Sequence, residues 1–186
     1  MVRLGILCEG ESEIFILESE TFNIFLTKNS IELVAIRPVG SKNQYWQDRI
    51  ESHIAILEDV GVDHILIMVD LDKDSCITFT RSEIKTGINR HVVVSVKEFE
   101  NWYLADNNAL SKMIGKKIAS IGFPEEEEEP VRKITQLNNG RGFGGSKPRI
   151  AKNMVRCGFS LENAAQHSNC PSATYFLNKL QQLAKQ

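Results

Sequence analysis

The sequence predicts an α/β fold, a mainly parallel sheet flanked by helices, with a small helical C-terminal extension. Three observations carry that prediction. Short apolar runs alternate with stretches of helical spacing in the order β-α-β-α-β-(α)-β. The run Ile65 to Val69 stops abruptly at Asp70, Asp72 and Asp74, as a buried strand does when it reaches the rim of a sheet. Beyond Asp106 the texture changes to helical segments, an acidic run and a basic glycine-rich stretch. Residues 1–108 are expected to form the α/β core and residues 109–186 the helical extension, together one compact unit.

Val2 to Cys8 (VRLGILC) is short and apolar and predicts the first buried strand, broken by Glu9-Gly10. Glu11 to Lys28 carries Ile14, Leu17, Phe22, Phe25 and Leu26 at close to helical spacing. Ile31 to Val39 is the second strand, and Pro38 ends it or places it at an edge. Tyr45 to Val60 predicts a helix with Ile50, Ile54 and Leu57 on one face and Gly61 as its terminator. The central strand follows, then an ambiguous stretch, Ser75 to Lys85, with room for a short helix. His91 to Lys97 is the fourth strand, and Glu98 to Ala105 begins a helix or a tight turn. Leu110 to Ile121 is expected to be helical. Glu125 to Glu129, five acids between two prolines, is expected to be a solvated loop or helix end. Two helices, Pro148 to Cys157 and Pro171 to Ala184, close the chain, with Pro171 suited to a first helical turn.

Composition narrows the function classes. The 186 residues are 42% hydrophobic, enough for a packed core, and the net charge of −2 excludes a polycation. Contact with nucleic acid must therefore come from a local patch. Four scattered cysteines without a CxxC pair suit reduced thiols, and no apolar stretch reaches membrane-spanning length. A soluble cytoplasmic protein without membrane contact is the expectation.

The acids are the candidate chemistry. Glu9 follows strand one, Asp70 and Asp72 follow strand three, and Glu98 and Glu100 follow strand four. In a parallel sheet these ends share one rim, where ligands bind in open α/β folds. Asp70 and Asp72 would share a face if the strand continued through them. Crowded carboxylates repel unless a cation or a proton sits between them, and hard divalent ions with oxygen ligands are natural occupants. One or two such ions would suit phosphodiester chemistry. Simpler roles stand beside this one. Glu9, Glu11 and Glu13 could favour the positive end of a helix, Asp74 could start a turn, and Glu98 could be a solvated helix-start acid.

These residues carry a resemblance. Glu9-Gly10-Glu11-Ser12-Glu13 resembles the EGxTE opening of Toprim (topoisomerase–primase) domains, with serine in the threonine position, and Asp70-Leu71-Asp72 resembles their DxD. Glu100-Asn101-Trp102-Tyr103-Leu104-Ala105-Asp106 resembles the ExWxLAD stretch of a bacterial family of small Toprim-like proteins of unknown function. Cys170-Pro171-Ser172 with Phe176 and Leu180 resembles that family's closing helix. Toprim domains include the nuclease part of overcoming-lysogenisation-defect proteins, several of which act in phage defence. The resemblance implies a Toprim-like (Rossmann-like) sheet and a Mg2+ (or Mn2+)-dependent cut or transfer at a nucleic-acid phosphodiester, DNA rather than RNA, with an ATPase as a possible partner. It implies Glu9 as metal ligand or general base, Asp70 and Asp72 as metal ligands, Glu13 as a supporting ligand and Glu100 as the residue completing the site. The chain itself carries no ATPase module, and Tyr45, Tyr103 and Tyr175 have no context of a topoisomerase tyrosine.

From Val131 to Leu161 there is no acid, and seven cations give a local charge of +7. Glycines at 140, 142, 144 and 145 would let backbone N–H groups approach phosphates. Arg141, Lys147 and Arg149 could neutralise them and Phe143 could stack on a base. A surface loop balancing Glu125 to Glu129 is the alternative. Lys73 and Lys97 stand beside the acids, to stabilise developing charge or simply to snorkel. Cys157, His167 and Cys170 offer three ligands where structural zinc takes four. Trp46 and Trp102 are expected to be packing residues, and His53, His64 and His91 show no partner pattern. Two other functions remain open, a non-catalytic metal or nucleic-acid sensing module and a receiver-type phosphoacceptor using Glu9, Asp70 and Lys97.

Overall fold

The fold is taken from a computed structural model that describes residues 1–143 and 146–185, and the side chains of all these except Gln47 and Asp48. Four strands, β1 (Val2–Cys8), β2 (Ile31–Pro38), β3 (His64–Asp70) and β4 (Arg90–Ser95), form one all-parallel sheet in the order β2-β1-β3-β4. The expected sheet is therefore present, with β2 at an edge, where Pro38 needs no N–H. Because every strand is parallel, Cys8, Asp70 and Ser95 all end at one rim, and Asp70 lies beside Ser95 in register.

The sheet is covered on both faces, as apolar strands such as ILIMV require. One face buries Leu7, Ile65, Ile67, Val69, Val92 and Val94 under α3 (Glu51–Asp59), with Tyr45 and Ile84. The other buries Leu4, Ile6, Leu66, Met68 and Val93 in a larger core. That core takes in α1 (Glu11–Leu17), α2 (Glu20–Lys28), α5 (Asn101–Ala105), α6 (Asn107–Ile114), α7 (Pro130–Leu137), α8 (Lys147–Arg156), α9 (Leu161–Ala165) and α10 (Pro171–Leu183). Helix α4 (Ile77–Ser82) fills the ambiguous stretch between β3 and β4. No helix among the described residues is long and apolar enough to cross a membrane.

Several expectations are corrected in detail. The helix expected over Glu11 to Lys28 is two helices, because the Ser19 hydroxyl accepts the Phe22 N–H and caps a second start. The first part of Tyr45 to Val60 is short 3-10 turns, and α3 begins only at Glu51. Helix α6 stops at Gly115, which sits in the left-handed region at φ 77°, rather than reaching Ile121. Helices α7 and α9 were not foreseen.

The acidic run is not uniformly solvated. Glu125 is buried, and its Oε1 accepts from the Ser172 N–H (2.9 Å) and hydroxyl (2.5 Å) at the start of α10. Ser172 Oγ in turn accepts from Trp102 Nε1 at 2.7 Å, tying α5 to α10. Glu127, Glu128 and Glu129 pair with Lys133, Lys97 and Arg132. Replacing Glu125 by alanine would strand a buried N–H and hydroxyl, a loss of about 2–3 kcal/mol. The expected result is a Tm for Glu125→Ala lower by roughly 5–10 °C, against almost no change for exposed Glu126→Ala, checked by thermal melts.

Candidate functional site

The rim is built from the ends of three strands. Asp70, the last residue of β3, is 7% exposed, and its Oδ1 accepts the Ser95 hydroxyl of neighbouring β4 at 2.7 Å. Glu9 leaves β1 one residue past its end and lies across the end of β3, where its Oε1 accepts the Asp70 N–H at 3.1 Å. Glu13, one turn into α1, is buried and accepts the Gly10 N–H through Oε2 at 3.2 Å. It thereby performs a helix-start role, the alternative set beside that of a supporting ligand, while facing the same cluster. Glu100, buried at the start of α5, accepts Lys147 Nζ at 3.1 Å, and Glu98 pairs with the same ammonium at 3.2 Å.

These four acids share one electrostatic environment. Burial raises the Asp70 carboxyl well above the ordinary carboxylate range, and the charges of Glu9, Glu100 and Glu13 push it further. Glu13 is raised to about 7, first by burial and then by Glu100 and Glu9. Burial also raises Glu9, against the Asp70 N–H, and Glu100, against Lys147. Burial pulls the Lys147 ammonium down, but Glu100 and Glu98 outweigh it and hold it above its usual range. Sequence reasoning placed Lys147 among phosphate contacts; the fold sets it inside the acidic cup as its countercharge. Only the third dimension could show this, since Glu100 and Lys147 are 47 residues apart.

Asp72 stands at the mouth of the cup, more exposed than the four, and its charge still reaches Glu9 and raises it. The strand ends at Asp70, so the two aspartates do not alternate on one extended strand. Asp72 adopts φ 51° and Lys97, on the facing turn, φ 61°, and the Asp72 N–H donates to the Lys97 carbonyl at 2.7 Å. Left-handed non-glycine residues are uncommon, and a hydrogen-bonded pair of them marks a held rim. The Asp72 carboxylate lies 3.5 Å from Lys42, which also pairs with Asp74 at 2.9 Å and donates to the Leu71 carbonyl. Asp74 additionally accepts the Thr80 hydroxyl at 2.6 Å, a structural turn-forming role. Lys97 turns away to Glu128. Elsewhere, His64 and His91 touch each other at 3.3 Å near the opposite ends of β3 and β4, and His53 accepts from Arg37.

The donor set suits a hard divalent cation. All the acids offer oxygen, and each of the four in the cup has few protein donors against about four lone-pair sites per carboxylate. The hydroxyls of Tyr45 and Tyr103 are buried without a hydrogen-bond partner among the described residues. Both phenols are raised well above their usual range by burial and by the same acids: Glu9, Glu13 and Asp70 for Tyr45, and Glu100, Glu13 and Asp70 for Tyr103. The pocket that Glu9, Glu13 and Asp70 line with Ser95 and Phe99 is too small for a water molecule, so an ion there would be held by carboxylate oxygens directly. Among the described residues no three acids, histidines or cysteines already stand at ligand spacing.

On the basic segment, Arg149 lines a cleft of about 850 Å³ with Lys152 and Arg156, which sequence reasoning counted but did not single out. Their spacing of three and four residues was the available signal. Arg141 is exposed on the loop, whose Gly144 and Gly145 lie outside the described residues.

No protein-family model matches the sequence, and no curated protein matches it. Among solved structures, the C-terminal region of the Burkholderia pseudomallei OLD protein is similar at 15% identity and a TM-score of 0.49, over 97% of this chain and 99% of that one. A likeness that distant says nothing of activity.

The raised acids make a pH prediction. Glu13 is protonated more readily in the folded chain (about 7) than unfolded, so folding takes up a proton as pH rises past the ordinary glutamate value. Its contribution is greatest below pH 4.5 and is lost as pH climbs to about 7. In chelator, Glu13→Gln is expected to melt roughly 5 °C above wild type at pH 8 and level with it at pH 4; equal curves at both pH values would contradict the assignment.

Proposed function

We propose that the protein is a divalent-cation-dependent nuclease of Toprim type that cleaves nucleic-acid phosphodiesters, DNA in preference to RNA. The observation that carries it is the convergence of Glu9, Glu13, Asp70 and Glu100 from three strand ends into one buried, under-neutralised cup. The motif resemblance supports the same reading, and extends it to membership of the small Toprim-like family and to phage defence with a separate ATPase partner.

Asp70 and Glu9 would hold Mg2+ or Mn2+, with Glu13, Glu100 and Asp72 as further oxygen ligands. When bound, such an ion neutralises charge on the phosphodiester and lowers the pKa of a bound water. The chain's own groups supply the rest. Glu9 Oε1 is occupied by the Asp70 N–H, which leaves Oε2 to accept the proton of an attacking water. The Ser95 hydroxyl fixes the Asp70 carboxylate, and the pair remains in register because both residues belong to adjacent strands. Lys147 is placed to stabilise negative charge building on the phosphate, at the edge of Glu100 and Glu98. The leaving oxygen takes its proton from solvent water as it departs, since the ionised Glu13 is kept for the cation.

The test is cleavage of labelled DNA with Mg2+ or Mn2+. Wild type is expected to cut, chelator to abolish cutting, and Asp70→Ala and Glu9→Ala to lose at least about 100-fold in rate, each variant first checked for a cooperative melt. Mg2+ should also raise the melting temperature of wild type and not of Asp70→Ala. Undiminished cleavage in both variants would remove the assignment of this cup as the active site.

A further inference from the structure

We infer that the exposed face of α8 is a track for one single strand of nucleic acid, about three nucleotides long, leading into the acidic cup. The inference rests on the nuclease reading and adds which form of substrate the chain grips and with which residues.

The seven cations of the acid-free segment divide into distinct roles, with Arg141 standing exposed on the loop before α8. Arg132 and Lys133 are neutralised by Glu129 and Glu127, and Lys147 by Glu98 and Glu100. Arg149, Lys152 and Arg156 form no ion pair among the described residues, and all three are exposed. They repeat along one face of α8 and line the 850 Å³ cleft together with Phe143, Asn153 and a single acid, Glu11. Lys152 also stacks its ammonium 4.3 Å from the Phe15 ring of α1, which fixes its direction. An unpaired row of cations beside a buried acidic site is a place for a polyanion.

The row has a length and a direction. Arg149 to Arg156 spans about 10 Å at 1.5 Å per residue, close to the rise of three nucleotides of a B-form strand. The first residue of the same helix is Lys147, in contact with Glu100. A strand laid along α8 therefore points at the cup. The cations stand on one face of one helix, so they meet one backbone and not the two sides of a groove. A cleft of 850 Å³ has the scale of a pocket for a small ligand, far less than a duplex occupies. A charged groove with an aromatic wall, here Phe143, is how single strands are held, with bases on the ring and phosphates on the cations.

The test measures binding separately from cutting. In an Asp70→Asn background, fluorescence anisotropy follows a labelled single strand of about 12 nucleotides, and its duplex, from 50 to 200 mM salt. Neutralising Arg149, Lys152 and Arg156 to alanine should lower the salt slope for the single strand by about 2, at 0.7 per phosphate. Across that range the parent then loses roughly 20-fold more affinity than the triple variant. Arg149→Lys with Arg156→Lys should keep the slope, and Phe143→Ala should weaken the single strand about tenfold while sparing the duplex. An unchanged slope in a triple variant that melts normally would overturn the track. So would tighter binding of the duplex, or equal, triple-dependent binding to vesicles of anionic lipid, which would make α8 a membrane-facing surface. If the wild type never cuts yet the slope behaves as stated, the nuclease reading fails and the track stands. If cutting persists in the triple variant with its slope intact, the track alone fails.

Discussion

A carboxylate that cannot reach water is the constraint on which this structure depends. Asp70 ends the central strand, flanked by β1 and β4, and burial there disfavours its charge before any neighbour is considered. The neighbours make it worse, because Glu9, Glu13 and Glu100 are acids too. Each has a specific stabilising contact, and they are of different kinds: a strand N–H for Glu9, a helix-start N–H for Glu13, a hydroxyl for Asp70 and an ammonium for Glu100. Every one of these donors is fixed by backbone already committed to the sheet or to a helix start. The cup therefore cannot relax by swinging its acids outward without giving up those bonds. It responds by taking up protons or cations, which is the property a divalent-ion site requires.

The C-terminal helices belong to that same balance. Lys147 opens α8, and α8 packs directly on α1, the helix that carries Glu13. The countercharge of Glu100 and Glu98 is thus set on a helix in contact with the one that carries Glu13. Glu125 plays the corresponding part at α10: a buried acid from the run before α7 accepts the N–H and the hydroxyl of Ser172 at the start of the closing helix and, through Ser172, steadies Trp102. Trp102 lies two residues after Glu100, so the packing of α10 bears on the position of an acid in the cup. The three other acids of that run with ion pairs absorb Lys97, Lys133 and Arg132, so that within the acid-free segment the cations without an ion pair among the described residues are Arg141 on the loop and Arg149, Lys152 and Arg156 on α8.

Much of the sheet was legible because its signals are local. Runs such as VRLGILC and HILIMVD are buried on both sides and stop at acids or glycine, so strand, rim and candidate carboxylates appear together in the sequence. Glu9, Asp70 and Glu100 were readable for that reason. What was not readable depends on partners distant along the chain. Glu125 looked like any acid in a solvated run until Ser172, 47 residues on, was placed against it. The pairing of Lys147 with Glu100, 47 residues away, likewise needed the fold. Asp72 kept its strand reading only as long as the strand was assumed to continue; the left-handed turn at Asp72 has no marker as strong as a glycine. Ser19 and Ser160 cap α2 and α9, but the apolar spacing around the first runs on through the break and the second opens a helix of only five residues, so neither start stands out in the sequence.

The placement of Lys97 also separates this site from a phosphoacceptor aspartate, which the sequence left open. An acceptor aspartate must be an ionised nucleophile, reachable by a phosphodonor, with a lysine close enough to compensate the new phosphate. Here Asp70 is buried, its carboxyl is raised by burial and by Glu9, Glu100 and Glu13, and the phosphate would add charge beside those three acids. Lys97, the lysine that reading needs, sits in a left-handed turn and pairs with Glu128 at 2.5 Å, away from Asp70. The cation that does reach the cup, Lys147, is held by Glu98 and Glu100 on its far side. A site of this charge receives a phosphate only when a cation comes with it, whether that phosphate belongs to a diester or to a donor molecule, so the placement of Lys97 rather than the charge of the cup is what weighs against the phosphoacceptor reading.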